Sequence, residues 1–264
     1  MQNKLYEQTL WALPTKSHKA MPTFLTALSN ACQSSPPPYG EQWYATAYDR
    51  FAGNPDWLAA SFFTYASEER DGARRLAVLA DQIGPLLPKA LPVVWKHARD
   101  EARHILYFLE LLDHVFPKAP QDLTARASLE HNNPLERVSS KRGSAAASRV
   151  VSEVVRINIG EVKNRVHLSM MRGWAMAYCP RSQASRVDQI TSRLIQDEIN
   201  HIAYTGMVLE MLHRLGLAAD LAEHYSSEFR AFNDQLLGEL TWHNINPTLQ
   251  KTAEMPHSRG TRCT

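Results

Sequence analysis

The sequence predicts an all-α protein: a four-helix bundle with one long crossover and additional flanking helices. Three observations carry this. Four long segments place apolar residues at alternating spacings of three and four, which is the spacing of one helix face. The links between them run short, long, short, so the first pair and the last pair are antiparallel hairpins. The long link carries the chain back along the bundle, on the order of 30 Å. No segment of any length alternates apolar and polar residues with the period of a strand.

Residues 1–40 are poorly patterned. Within them Met21 to Cys32 reads as a short helix and Ser34-Ser35-Pro36-Pro37-Pro38 as a breaker. Glu41 to Phe51 carries Trp43, Tyr44, Tyr48 and Phe51 and predicts a short helix packed on something larger. Asn54-Pro55 is a helix start, with Asn as cap and Pro in the first turn. The first long helix runs from there to about Ile83, with Leu58, Phe62, Tyr65, Glu69, Gly72, Leu76, Leu79 and Ile83 inward, and Gly84-Pro85 ends it. The second starts near Pro92 and stops before Pro117. Its inner stripe is Val94, His97, Glu101, His104, Phe108, Leu111 and Val115.

Residues 117–148, rich in Pro, Ser, Ala and charge and without a clear period, are expected to be the long connection. The third helix runs from about Ser148 to Tyr178 with Val150, Val154, Ile157, Glu161, Asn164, Leu168, Met171, Ala175 and Tyr178 inward, and Cys179-Pro180 closes it. The fourth runs from about Ala184 to Leu215 with Val187, Thr191, Leu194, Glu198, His201, Thr205, Val208 and Leu212 inward, and Gly216 at its end. Leu217 to Leu240 reads as a fifth helix, and the tail after His243 as weakly ordered. The chain is read as a single domain over residues 1–264. The core bundle occupies about 55–215, an N-terminal segment 1–54, and the C-terminal helix and tail 216–264.

At 44% hydrophobic and 21% charged, the 264 residues carry enough apolar material for a sizeable core. A net charge of +2 gives no reason to expect nucleic acid or an anionic membrane as a partner. Cys32, Cys179 and Cys263 are odd in number and lack metal-site spacing, which predicts a reducing, cytoplasmic setting. No basic-then-apolar leader opens the chain, and no apolar run approaches the roughly 20 residues of a membrane span.

The chemistry lies in the polar residues on the four stripes. Each helix puts one Glu inward: Glu69, Glu101, Glu161 and Glu198. The second and fourth helices add His104 and His201, each three residues after its Glu and so on the same face. The levels match. From Glu69 to the end of its helix is about 14 residues, or ~21 Å, and from Pro92 to Glu101 about 10, or ~15 Å. From Glu161 to its helix end is ~26 Å, and from Ala184 to Glu198 ~21 Å. All six side chains can therefore meet at one height. Burying them uncompensated would cost several kcal/mol, so the seam needs cations. Four carboxylates and two imidazoles suit iron or manganese better than a closed structural zinc site, and four negative charges offset two divalent ions.

A Glu from each of two helices with Glu-x-x-His from the other two resembles the ferritin-like di-iron carboxylate superfamily. The resemblance covers about residues 55–215. The pentads Asp100-Glu101-Ala102-Arg103-His104 and Asp197-Glu198-Ile199-Asn200-His201 look like its oxygen-activating monooxygenases and N-oxygenases more than its storage ferritins. That resemblance implies that Asp100 and Asp197 orient His201 and His104 respectively, and that Arg103 neutralises one Asp. Radical-generating relatives such as the ribonucleotide reductase small subunit carry a Tyr where this chain has Phe108. Arylamine N-oxygenases add a histidine where this chain has Leu194. Here His97 holds the corresponding place before Glu101 and is a candidate seventh ligand, a hydrogen-bonding residue or a pocket residue.

Other polar residues are placed by phase. Glu68 and Glu153 fall on polar faces. Glu210, although it opens a Glu-x-x-His with His213, falls on a solvated face, as do Arg165 and Arg172. Glu110, His114 and His167 lie off the stripes. Tyr65, Phe108, Asn164 and Thr205 are candidate substrate-pocket residues. The segments 41–65 and 217–243 are expected to cap an apolar pocket. The expected function is that of a non-haem di-iron oxygenase or oxidase that uses O2 to hydroxylate or N-oxygenate a small organic substrate. Electrons would come from an external reductase or ferredoxin, because no flavin or nicotinamide motif is present. The alternatives are an iron-storage ferroxidase, which would assemble into a large closed cage rather than a monomer or homodimer, and a di-manganese or mixed manganese–iron protein.

Overall fold

The computed structural model describes residues 4–119, 123–135 and 146–245, which are all-α with no strand among them. Ten helices follow in order: α1 (Lys4–Ala12), α2 (Thr15–Ala20), α3 (Pro22–Ser34), α4 (Gln42–Ala52), α5 (Pro55–Ile83), α6 (Leu91–Val115), α7 (Leu123–His131), α8 (Ala147–Tyr178), α9 (Ala184–Arg214) and α10 (Leu221–Ile245). The four long stripes of the sequence are α5, α6, α8 and α9. Asn54 caps α5 by accepting from the Asp56 and Trp57 backbone N–H groups, with Pro55 in the first turn. At the end of α9, Gly216 takes φ +73°, while its N–H reaches His213 O at 2.9 Å and that of Leu217 reaches Leu212 O at 3.0 Å. This is the crossed bonding that closes a helix on a left-handed residue.

α5 and α6 pack along each other, as do α8 and α9, and the two hairpins meet chiefly through α6 and α9. The stripes are buried as the periodicity requires, Tyr65, Gly72, Asn164 and Tyr178 being only half-buried. The apolar core falls into two parts. One gathers Leu76 to Ile83, Val94 and Ala98, Val150 to Val162 and Ile202 to Leu212 with α3 and α10. The other gathers Leu58 to Ala66, Ile105 to Val115, Leu168 to Ala175 and Val187 to Leu194 with α4. Between them, at one height on all four helices, lies the polar level of Glu69, Glu101, Glu161 and Glu198.

The flanking structure is richer than the periodicity indicates. The segment 117–148 contains α7, whose Leu129 is buried against the bundle and whose Arg126 is bonded to Asp113 at 2.6 Å. One anchoring Leu in nine residues is too weak a signal to read as a period. α1 and α2 occupy part of the unpatterned N-terminus, and the fifth helix starts at Leu221. The expected disordered tail, like Cys263, lies outside the described residues apart from the last turn of α10.

α3 packs against α9 and α10. Its seat is Gly206, where a Cβ would come within 2.6 Å of the Phe24 ring and 2.9 Å of Met21 Sδ. Its start is capped from afar. Met21 offers no acceptor, and the N–H groups of Thr23 and Phe24 donate instead to Glu210 Oε2 at 2.8 and 3.2 Å. Glu210 is therefore 3% exposed and not on a solvated face. A carboxylate at a helix N-terminus also meets the positive end of its dipole. Among the described residues, no helix is long and apolar enough to cross a membrane.

Candidate metal centre

α5 supplies Glu69. α6 supplies His97, Asp100, Glu101, Arg103 and His104. α8 supplies Glu161, and α9 supplies Asp197, Glu198 and His201. Glu69, Glu101, Glu161 and Glu198 are no more than 7% exposed, and His97, His104 and His201 no more than 1%. The phase argument that selected Glu69 is matched by burial, since its neighbour Glu68 is exposed. Glu153 is only half-buried and pairs with Arg75.

The cluster has two centres. His104 Nδ1 faces Glu69 Oε2 at 3.7 Å, Glu101 Oε1 at 3.9 Å and Glu198 Oε1 at 3.9 Å. His201 Nδ1 faces Glu101 Oε1 at 3.4 Å, Glu161 Oε2 at 3.7 Å and Glu198 Oε2 at 3.8 Å. Glu101 and Glu198 thus stand between the imidazoles, whereas Glu69 belongs to one and Glu161 to the other. The facing nitrogens of both histidines, both oxygens of Glu198 and Oε2 of Glu161 are buried without a hydrogen-bond partner. Buried polar atoms are nearly always satisfied, so orphans converging on two points are the mark of a ligand set. Ligand atoms of His97, Glu101, Glu161 and His201 lie within 4.8 Å of one another, as do those of Glu69, Glu101 and His104. These buried His and Glu groups could hold metal ions, for which oxygen and nitrogen donors are suitable ligands.

The outer nitrogens are held crosswise. His104 Nε2 lies 3.4 Å from Asp197 Oδ2, and His201 Nε2 lies 3.4 Å from Asp100 Oδ2, so α6 and α9 each orient the other's imidazole. Arg103 reaches both aspartates, Asp100 at 2.7 Å and Asp197 at 3.4 Å. Lys96 adds a second cation to Asp100 and Arg193 a second to Asp197 at 2.9 Å. Both sit four residues before their Asp, a helical pairing visible in the sequence. Burial raises the two aspartates, but His201, Lys96 and Arg103 hold Asp100 well below the usual range, and His104 and Arg193 lower Asp197.

Inside the cluster the four carboxylates cannot all be ionised unaided. Burial first, then Glu69, Glu161 and Glu198, push Glu101 well above the usual carboxylate range. Burial with Glu161 and Glu69 does the same to Glu198. Burial also raises Glu69 and Glu161, but contacts with Glu101 and His104 hold Glu69 below that range, and contacts with Glu198, His97 and His201 hold Glu161 well below it. Burial lowers His104, but Asp197 and Glu69 outweigh it and raise the imidazole to about 9. Burial, with the neighbouring His201, lowers His97 to about 4.

A cavity of about 680 Å3 between α5, α8 and α10 reaches this level, with Glu69, Glu101 and Glu161 at its floor. Gly72 lies at this floor beside Glu101, where a Cβ would be in ordinary contact with Glu101 Oε2 at 3.4 Å. The walls are mixed where an apolar lining was expected: Leu76, Ile157, Ile159 and Phe232 share them with Arg75, Arg156, Lys163, Asp71 and Glu228. Of the four candidate pocket residues only Asn164 lines it. Tyr65 stacks on Phe108 at 5.2 Å and bonds to His167 Nδ1 at 3.1 Å. Thr205 instead donates to His201 O and accepts from Asn158 at 2.7 Å, which in turn accepts from Tyr225. α10 does wall the cavity, as expected of the C-terminal helix, but 41–65 packs elsewhere.

Two further residues, His167 and Arg165, depart from their sequence assignment, and a third, Tyr204, was not singled out in the sequence. His167 is buried at 7% exposure and joins Tyr65 to Tyr44, whose hydroxyl is 2.8 Å from Nε2. Arg165 is half-buried, and its Nε and Nη2 lack partners. Tyr204, one position off the α9 stripe, bonds to His97 Nδ1. The partners of His167 and Tyr204 come from other elements, and no local spacing announces them. Arg172 sits in the exposed pair with Asp188 that its phase predicts. Compared with protein-family models, curated proteins and solved structures, the chain has no significant match.

Proposed function

We propose that this protein is a non-haem di-iron oxidoreductase that uses O2 to oxidise a small organic substrate. The observation that supports this most is the pair of partnerless imidazole nitrogens, on His104 and His201, sharing Glu101 and Glu198 between them. In this reading Glu69, Glu101, His104, Glu161, Glu198 and His201 would hold the ions. Asp100 and Asp197 keep the outer nitrogens of His201 and His104 protonated and their inner lone pairs free. A bound pair of ferrous ions supplies electrons for the reduction of O2.

The rest is the work of the chain. Phe108, Leu194 and Ile105 close the level from one side and keep bulk water from it. The cavity admits a substrate from the other, and Asn164 and Lys163 offer it a hydrogen bond and a positive charge along the way. An external reductase or ferredoxin would restore the electrons. An open, walled route to the carboxylates favours substrate oxidation over plain iron storage, and manganese is the alternative metal.

The test is to load the protein with ferrous iron without air and then add O2 while following oxygen uptake and the visible spectrum. The reading predicts uptake in proportion to bound iron and a new absorption band, both lost in E101Q. Iron that binds at this site but leaves O2 unconsumed would refute it.

A further inference from the structure

Not two but three buried imidazoles face the carboxylates, each with one nitrogen inward and one held from outside, although the inward nitrogen of His97 is itself hydrogen-bonded to Glu101. His104 and His201 turn Nδ1 inward and give Nε2 to an aspartate. His97 does the reverse. Its Nε2 lies 2.8 Å from Glu101 Oε1 and 3.3 Å from Glu161 Oε1, and its Nδ1 is bonded to the Tyr204 hydroxyl. Its ring lies against that of His201, centroids 3.6 Å apart, so both rings point at the same carboxylate, Glu161. Neighbouring ligands on one ion with bonds of about 2.1 Å are about 3 Å apart. The separations between His97 Nε2, His201 Nδ1 and the oxygens of Glu101 and Glu161 are of that order. On the His104 side the matching group holds a single imidazole, with Glu69 and Glu101.

We propose that His97 is a third imidazole ligand, on the ion held by His201 and Glu161. Tyr204 is its positioning residue, accepting from Nδ1–H so that the Nε2 lone pair points at the metal. The two ions then occupy unlike sites, one with two imidazoles and one with one. This deepens the two-ion reading above and rests on it. Tyr204 has a different effect from the aspartates. A carboxylate partner makes an imidazole a stronger donor, and a neutral phenol does so less. His97 is therefore the weakest of the three imidazole donors and the first to yield its place.

Cobalt(II) as the probe ion tests this directly. Each bound imidazole gives one paramagnetically shifted ring N–H proton signal that vanishes in D2O. The expected result is three such signals in the wild-type protein. H97Q should show two while keeping the other two in place. Y204F should keep three, with one exchanging faster with solvent. Two signals in wild-type protein that binds cobalt would overturn the assignment of His97 alone, and that count needs no variant to fold. Unchanged exchange in Y204F would overturn the role of Tyr204. A wild-type protein that binds no cobalt would overturn the two-ion reading and this inference with it.

Discussion

At the scale of single residues, the site is a solution to a charge problem. Four buried carboxylates repel one another, and burial with that repulsion raises Glu101 and Glu198. Ion loading should therefore release protons, and affinity should strengthen as pH rises from about 6 to about 8. The sign follows from His104, raised to about 9 and so competing with the ion for a proton across that window, and from the raised Glu101 and Glu198, which act in the same direction. Titration calorimetry in two buffers of unlike ionisation heat should give unlike binding enthalpies; equal enthalpies would contradict the account. The crossed aspartates predict a second effect: D197N should weaken metal binding about 10–100-fold, read by competition with a chelating dye. Much of this was legible beforehand, because phase alone separates buried Glu69 from exposed Glu68. Glu210, His167 and Tyr204 were not legible. Thr23, which Glu210 caps, lies 187 residues away in sequence, and no periodicity encodes such a pairing.

At the scale of elements, the long helices followed from their stripes because each stripe faces a single core. The short ones did not, since α7 buries one leucine and α1 has a weak pattern. The N-terminal segment is tied to the bundle by two contacts that make separable predictions. G206A should drive Phe24 from its seat on α9 and destabilise the protein by about 1–3 kcal/mol. E210Q keeps the shape but weakens the cap of α3, and should cost about 1–2 kcal/mol. Urea unfolding at fixed metal loading measures both, and a loss below a few tenths of a kcal/mol in G206A would mean that α3 does not rest there.

At the scale of the molecule, two apolar half-cores clasp one polar layer, and ions in that layer would act on the stability of the whole. Stripping them with a chelator should lower Tm. For each ion at about 100 times its Kd the loss is about 2.7 kcal/mol, so stripping both costs about 5 kcal/mol, or roughly 10–20 °C for a chain of this size. In the double variant E101Q/E198Q the chelator should lower Tm by at most half as much. The measurement that bears most directly on the account is the number of ferrous ions bound per chain, by anaerobic dialysis and elemental analysis. Two per wild-type chain, falling to one or none in folded E101Q/E198Q, is the predicted result. A folded wild-type protein that retains no iron, or a double variant that retains two, would contradict it.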